Sequence, residues 1–397
     1  MKNIAITGVT GLLGRNLLLE IIRENVHEPE SIRYFLFGRS SQSVSLRDRV
    51  IQILDREGAD YLGIEDFEAI KATVLRNCRF FEIDLCAPNL GLNREDLQWL
   101  RRQSIDWFFH TAASTDFRDG EMVRSNLNAT NVLGTQKVVD LSVKLESAQF
   151  VYVSSAYVCG NNSGLISPNS ISFDHGFRNN YERSKLEAEI FVRDFFANRN
   201  LNGFKIFRPS TISGRLIESP IGATCKFDVF YSWLTWFMRL KKKLQTKSGD
   251  CLSNSLSLNL RIFANVQAGL NIVPVDYAVK TMYQVMKGNA MEESFHLVNE
   301  HEIPHRLYLR IMLEKGGIEG IEFVNRKPVN LKPHEQFYYK TVGQIFSPYF
   351  AGAPMHFDTR SADKYMNELS CPTMDATNFG KLIDYYLEQT CRLEIVR

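Results

Sequence analysis

The chain has 397 residues, 44% hydrophobic and 23% charged, with a formal net charge of +2. This is the composition of a folded globular protein with a sizeable core, and it excludes a disordered or fibrous chain. Nucleic acid is not an expected partner, because phosphate backbones call for clustered Lys and Arg in a strongly basic domain.

From Met1 the sequence runs directly into an apolar strand at residues 3–7, without the long apolar region and cleavage site of a secretory signal, so a cytoplasmic location is expected. Further strand-like runs fall at 33–37, 79–83, 106–110, 149–154 and 204–207. Helical periodicity occupies 12–23, 46–54, 125–145 and 181–197. The alternation predicts an α/β fold: a Rossmann doubly wound parallel sheet with its ligand crevice at the carboxyl ends of the strands. Residues 1–215 are read as the nucleotide-binding domain, with a return segment at about 270–300, and 216–269 and 301–397 as a smaller, mostly C-terminal substrate-binding region.

Past residue 215 the pattern loosens. An aromatic-rich helix is expected at 227–244, ending in Lys241, Lys242 and Lys243, which read as a solvated charge run. A polar stretch follows at 247–257, then an α/β-like stretch from 272 to a strand-like run at 321–324. The tail from Pro333 is rich in Tyr, Phe and Pro and ends in a helical pattern at 379–387. No apolar run is long enough to span a bilayer, which leaves only peripheral membrane contact. The seven cysteines are scattered, with no C-x-x-C pair and no His at ligand spacing, so a reducing compartment and no metal site are expected. Cys159 reads as a buried, inert thiol.

The segment Thr7-Gly8-Val9-Thr10-Gly11-Leu12-Leu13-Gly14 lies between the first strand and the first helix. Gly8 suits a tight turn, Gly11 admits a pyrophosphate close to the backbone, and Gly14 permits close helix packing. The N–H groups around Thr10, Leu12 and Leu13 face the anion. After the second strand stands Arg39, where NAD-preferring folds carry an acid; its guanidinium suits the 2′-phosphate of NADP(H). The alternative for Arg39 is a solvated side chain. Asp84 and Leu85 after the third strand are candidates for the adenine side. Thr111, Ala112 and Ala113 after the fourth are small residues suited to lie beside the cofactor.

Tyr181 and Lys185 lie one helical turn apart on one face. A neighbouring ammonium favours a phenolate, so Lys185 is expected to lower the Tyr181 pKa and to hydrogen-bond the nicotinamide ribose. Ser155, at the end of a strand-like run, is placed to bond a substrate carbonyl oxygen as charge develops on it, with Ser154 on the opposite face. Asn131 is a candidate anchor for a water or for the Lys185 geometry; a packing asparagine is the alternative.

The glycine run, His110-x-Ala112-Ala113, Asn131-x-x-Gly134-Thr135, Ser155, Tyr181-x-x-x-Lys185 and Arg208-Pro209-Ser210 occur in the order found in extended short-chain dehydrogenases/reductases, which the sequence resembles. Within that superfamily it is most similar to the branch of fatty acyl-CoA reductases and the thioester reductase domains of carboxylic acid reductases and nonribosomal peptide synthetases. Supporting stretches are Asn180-Tyr181-Glu182-Arg183-Ser184-Lys185 and Val273-Pro274-Val275-Asp276-Tyr277. The resemblance covers the first 215 residues well, 270–300 fairly and the rest thinly. It implies an NADP(H)-dependent enzyme with Ser155, Tyr181, Lys185 and Asn131 as its catalytic set. Pro209 and Ser210 then fall beside the cofactor. The implied reaction is reduction of an acyl thioester, on coenzyme A or a carrier protein, to an aldehyde or on to an alcohol.

The sequence departs from the branch at Ser155, where Thr is frequent, and it carries no adenylation or carrier module, so the thioester is expected in trans. Two other readings stand beside this one. A nucleotide-sugar epimerase or dehydratase uses the same Ser-Tyr-Lys set, but Arg39 weighs against it. A non-catalytic NADP(H)-sensing regulator would have no need of Tyr181, Lys185 and Ser155. The aromatic residues of 227–244 could wall an acyl-chain channel or belong to plain core.

Overall fold

The computed structural model describes residues 1–395 except 42, 200, 202, 245–254 and 368, with only the backbone described at 391–395. Residues 247–254 of the polar stretch, Cys251 among them, lie outside the described residues.

Seven strands form the central sheet: β1 (Lys2–Thr7), β2 (Ile32–Gly38), β3 (Cys78–Glu82), β4 (Trp107–His110), β5 (Gln149–Val153), β6 (Phe204–Pro209) and β7 (Ser294–Leu297). Their order is β7-β6-β5-β4-β1-β2-β3, and every pairing is parallel. This is the doubly wound arrangement, whose order reverses between β1 and β4 and opens a crevice at their carboxyl ends. Parallel strands covered on both faces read as continuous apolar runs, which is why Ile4–Ile6 and Tyr34–Phe37 are fully buried.

One face is covered by α1 (Leu12–Glu24), which packs on the helix Val275–Lys287. Between these two helices Glu20 is buried with Lys280 at 3.1 Å, and Tyr61 Oη donates to it at 2.8 Å. The other face carries the helix Gly134–Lys144 and α2 (Asn180–Ala197). A second core lies beyond the sheet, among α3 (Phe230–Leu244), α4 (His305–Gly316), α5 (Val342–Phe350) and the C-terminal helix Ala376–Ile395. Among the described residues no helix is long and apolar enough to cross a membrane.

Several elements differ from the periodicity reading. The predicted helix at 125–145 is a composite of Glu121–Leu127, a π-helical turn at Asn128–Leu133, and Gly134–Lys144. Helices Glu68–Arg76 and Arg94–Leu100 were not anticipated; each is short and fully buries one residue, Val74 and Leu100, with Ile70 and Leu75 or Leu97 packed beside it, so the periodic signal is brief. Strand Leu256–Phe263, parallel to Ile318–Val324, was missed although Leu256, Leu258, Leu260 and Ile262 alternate. The aromatic helix begins at Phe230, because Val229 has φ +50° and cannot continue a helix. Lys241 is not solvated. It is buried, and its Nζ donates at 2.9 Å to the carbonyl of Gly316, one of the orphan acceptors at the end of α4.

Candidate active site

The crevice between β1 and β4 begins at the glycine turn. Gly8 has φ +71°, a conformation L side chains avoid. A Cβ on Gly14 would stand 2.3 Å from the Gly8 carbonyl oxygen, so only glycine lets α1 start this close to the turn. Gly11 caps α1 with no side-chain acceptor, leaving the first N–H groups of the helix free to hold an anion. These features fit the diphosphate of a dinucleotide.

The turn is braced by a buried polar chain. Thr135 Oγ1 donates to the Asn131 carbonyl at 2.6 Å, so it accepts from His110 Nε2 at 3.0 Å, and His110 Nδ1 then accepts from Thr7 Oγ1 at 2.8 Å. Burial pushes His110 down to about 3, which keeps the imidazole neutral. Thr111 Oγ1 donates to the Thr7 carbonyl at 2.7 Å, tying the ends of β1 and β4.

A cavity of about 270 Å³ contains Gly8, Gly11, Leu12, Leu13, Gly14, Thr111, Ala113, Pro209 and Ser210 on one side and Ser155, Tyr181 and Lys185 beside them. Ser155 Oγ accepts from the Tyr157 N–H at 3.2 Å, which leaves its own hydrogen to donate. Tyr181 lies in the first turn of α2, capped by Asn179, whose Oδ1 accepts from the Glu182 N–H at 3.0 Å. Its ring meets Phe117 edge-on at 5.0 Å. Lys185 is buried, donating to the Val153 carbonyl at 2.6 Å, with its ammonium 4.3 Å from the centre of the Tyr152 ring.

The electrostatics differ from the sequence expectation. The Tyr181 phenol is pushed up by burial, and the charges of Asp228 and Glu182 push it further the same way. Burial pushes Lys185 down to about 7 against the opposing pull of Glu189, so the ammonium that was to favour a phenolate is itself close to losing its proton.

The remaining expected residues are not part of the wall of this cavity. The Thr10 carbonyl accepts from Arg15 at 3.0 Å, and the Ala112 N–H donates to Thr7 Oγ1 at 3.4 Å. Arg39 is exposed after β2, with Arg49 donating to its carbonyl at 2.5 Å. Asp84 is exposed, its carboxylate accepting from the Cys86 N–H at 2.9 Å, and Leu85 packs under Gly134. Asn131, in the π-helical turn, accepts from Ser114 N–H at 2.8 Å and donates to the Ser114 carbonyl and to Ser184 Oγ, each at 3.0 Å. It joins the loop after β4 to α2 and makes no hydrogen bond to Lys185. Arg208 is fully buried on Glu189 at 2.7 Å.

On the substrate side Trp233, from the aromatic run read as either channel wall or plain core, lines the cavity; Phe117, Tyr157, Tyr308, Met312 and Tyr349 line it too and were not singled out by the sequence. Tyr349 Oη donates to the buried carboxylate of Glu182 at 2.9 Å, and Arg178 lies over the Tyr349 ring at 5.4 Å. The C-terminal α5 is thereby fastened to the turn that carries Tyr181. The only local signal for this was an acid beside the tyrosine. Cys159 is buried and its thiol is pushed up to about 11 by burial, as suits an inert core cysteine.

Residues 6–282 match the family described as male sterility protein. Fatty acyl-CoA reductase 2 of Homo sapiens is 24% identical over 309 residues, 72% of this chain and 54% of its own length. Putative fatty acyl-CoA reductase CG8303 of Drosophila melanogaster is 26% identical over 213 residues, 53% of this chain and 36% of its own length. The chain thus spans about half or less of the curated relatives it matches. The terminal R domain from the myxalamid PKS-NRPS biosynthetic pathway superposes with a TM-score of 0.69 at 22% identity, covering 98% of this chain and 91% of that one. UDP-glucuronic acid 4-epimerase from Bacillus cereus, in complex with NAD, gives 0.61 at 13% identity, covering 98% and 99%. At these identities the solved structures show a shared fold.

Proposed function

The chain belongs to the male sterility protein family, within the extended short-chain dehydrogenases/reductases, and from that premise we propose that it is an NADPH-dependent oxidoreductase that reduces an acyl thioester to an aldehyde. The observation that carries this reading is one continuous cavity, running from the glycine turn past Ser155, Tyr181 and Lys185 to the apolar second core.

When bound, the nicotinamide cofactor supplies the hydride that the acyl carbon receives. The turn from Gly8 to Gly14, with Thr111, Ala113, Pro209 and Ser210, would hold it against the sheet. Ser155 and Tyr181 each have an O–H to give to the substrate carbonyl oxygen, and they stabilise the negative charge that gathers there. Tyr181 then delivers its proton, giving a hemithioacetal. Collapse of that species breaks the C–S bond, passes the hydroxyl proton to sulfur, releases the thiol and leaves the aldehyde; with a second equivalent of reduced cofactor the same residues would carry the aldehyde to the alcohol. Lys185, poised near neutrality, returns a proton to the phenol. The thioester reaches the cleft on coenzyme A or on a carrier protein. NADP(H) is favoured over NAD(H) by Arg39, with Arg49 beside it, at the end of β2.

Absorbance of NADPH tests the reaction. Acyl-CoA or acyl-carrier thioesters should consume it and UDP-sugars should not; a flat trace across a broad thioester panel removes the proposal. Arg39→Ala should weaken NADPH about tenfold or more while leaving NADH nearly unchanged. Equal losses for the two cofactors would reject the phosphate contact.

A further inference from the structure

Apart from the glycine turn, the cavity has two unlike ends. On α4, Tyr308 and Met312 face it one turn apart, and the next turn, at Gly316, does not; on α3, Phe230 and Trp233 face it and Phe237 does not. Trp233 and Met312 are both 0% exposed. Trp233 is also immobilised, its Nε1 donating to Tyr338 Oη at 3.0 Å and its ring packed on Phe237 at 4.6 Å. This end is apolar and closed. At the other end stand Thr115 and Lys226, both exposed, the lysine side chain at 52%. Lys226 Nζ donates to Thr115 Oγ1 at 2.6 Å and pairs with Asp228 at 2.5 Å. It thus joins the loop after β4 to the segment leading into α3. Tyr181, half-buried, lines the same cavity.

We propose that this cavity takes its substrate in one direction only: an aliphatic chain enters toward Trp233 and Met312, which set the longest chain accepted, while the amide-bearing arm of the thioester leaves past Thr115 and Lys226. The inference rests on the thioester reading and adds a length limit and an orientation to it. The physical basis is the mismatch of the ends. A chain in the closed end gains about fourfold in affinity for each methylene buried. Once it reaches Trp233 and Met312 no further space is apolar and free, and close-packed interiors do not yield to an added methylene without strain. An arm of amides and hydroxyls has no partners among those rings, whereas Lys226 and Thr115 supply donors and an acceptor at the solvent side.

The test is binding, independent of turnover. Saturated acyl-pantetheines of increasing length are titrated into the protein with NADP present, followed by tryptophan emission, with Trp233→Phe identifying the reporting ring. Affinity should climb with length and then break. Met312→Ala should move the break by about two carbons to longer chains, and Met312→Phe, which fills space instead of opening it, should move it to shorter ones. Lys226→Ala should weaken every length by one common factor, about three- to tenfold, and leave free aldehydes of the same chains unaffected. Affinity that does not depend on length, or a break unmoved in both Met312 variants, overturns the closed end. Equal losses for aldehydes and thioesters in Lys226→Ala overturn the orientation. Length-dependent binding without NADPH consumption keeps this inference and removes the reductase reading instead.

Discussion

Lys185 shows most directly what the candidate chemistry demands of folding. An exposed lysine titrates at about 10.4, yet burial holds this one down to about 7. Below that pH the unfolded chain keeps its proton in water, while the folded chain must place a charge against Tyr152 and the sheet. The resulting penalty is complete below about 7 and fades as pH rises toward the unfolded value. Lys185→Met should therefore raise the melting temperature at mildly acidic pH, by on the order of a few kcal/mol of stability, with the gain vanishing near pH 10 and turnover lost throughout. A gain independent of pH would show that the lysine is not held neutral. Tyr181→Phe keeps the ring against Phe117 and removes only the hydroxyl. Turnover should fall about 10²–10⁴-fold with NADPH affinity nearly unchanged, and retained turnover would place the proton donor elsewhere.

At the scale of elements, the turn from β1 into α1 and the first turn of α2 are where backbone geometry is least replaceable. Gly14→Ala would put a methyl 2.3 Å from the Gly8 carbonyl, so the turn must open and its N–H groups lose their common aim. NADPH should bind at least about tenfold more weakly, read from its fluorescence on binding, at a stability cost of about 1–3 kcal/mol. Wild-type affinity in that variant would mean that the cofactor does not rest on this turn. The start of α2 depends on distant partners as well. Asn179 caps it and donates to Tyr349 Oη at 2.7 Å, and Glu182 accepts from the same hydroxyl. The segment that carries Tyr181 is thus fixed by α5, a helix with no part in the sheet.

At the scale of the whole molecule, the C-terminal half completes both cores. Strand β7 covers the edge of β6, pairing Ser294–Leu297 with Ile206–Pro209. The second core draws Tyr308, Leu309, Phe346, Phe350 and Phe379 from beyond that strand. A chain ended after residue 290 should therefore show no cooperative melt and no NADPH binding, because an open β6 edge and an uncovered α3 expose long apolar faces. Cooperative unfolding of that fragment would show that the first half holds its own core.

Six of the seven main strands, the glycine turn, and Tyr181 with Lys185 could be read from the sequence, because each is set by neighbours within a few residues: alternation, a strand-turn-helix junction, one helical turn. What the sequence leaves undetermined depends on partners far along the chain. Glu182 meets Tyr349 across 167 residues, Lys226 meets Thr115 across 111, and Trp233 meets Tyr338 across 105. Even the direction of the shift at Tyr181 reversed the local expectation, since i,i+4 spacing says which groups are neighbours while burial by distant segments decides which charge the site tolerates. Local pattern determined the elements and the chemical groups; only tertiary packing decided how deeply those groups are buried and which side chains wall the cavity.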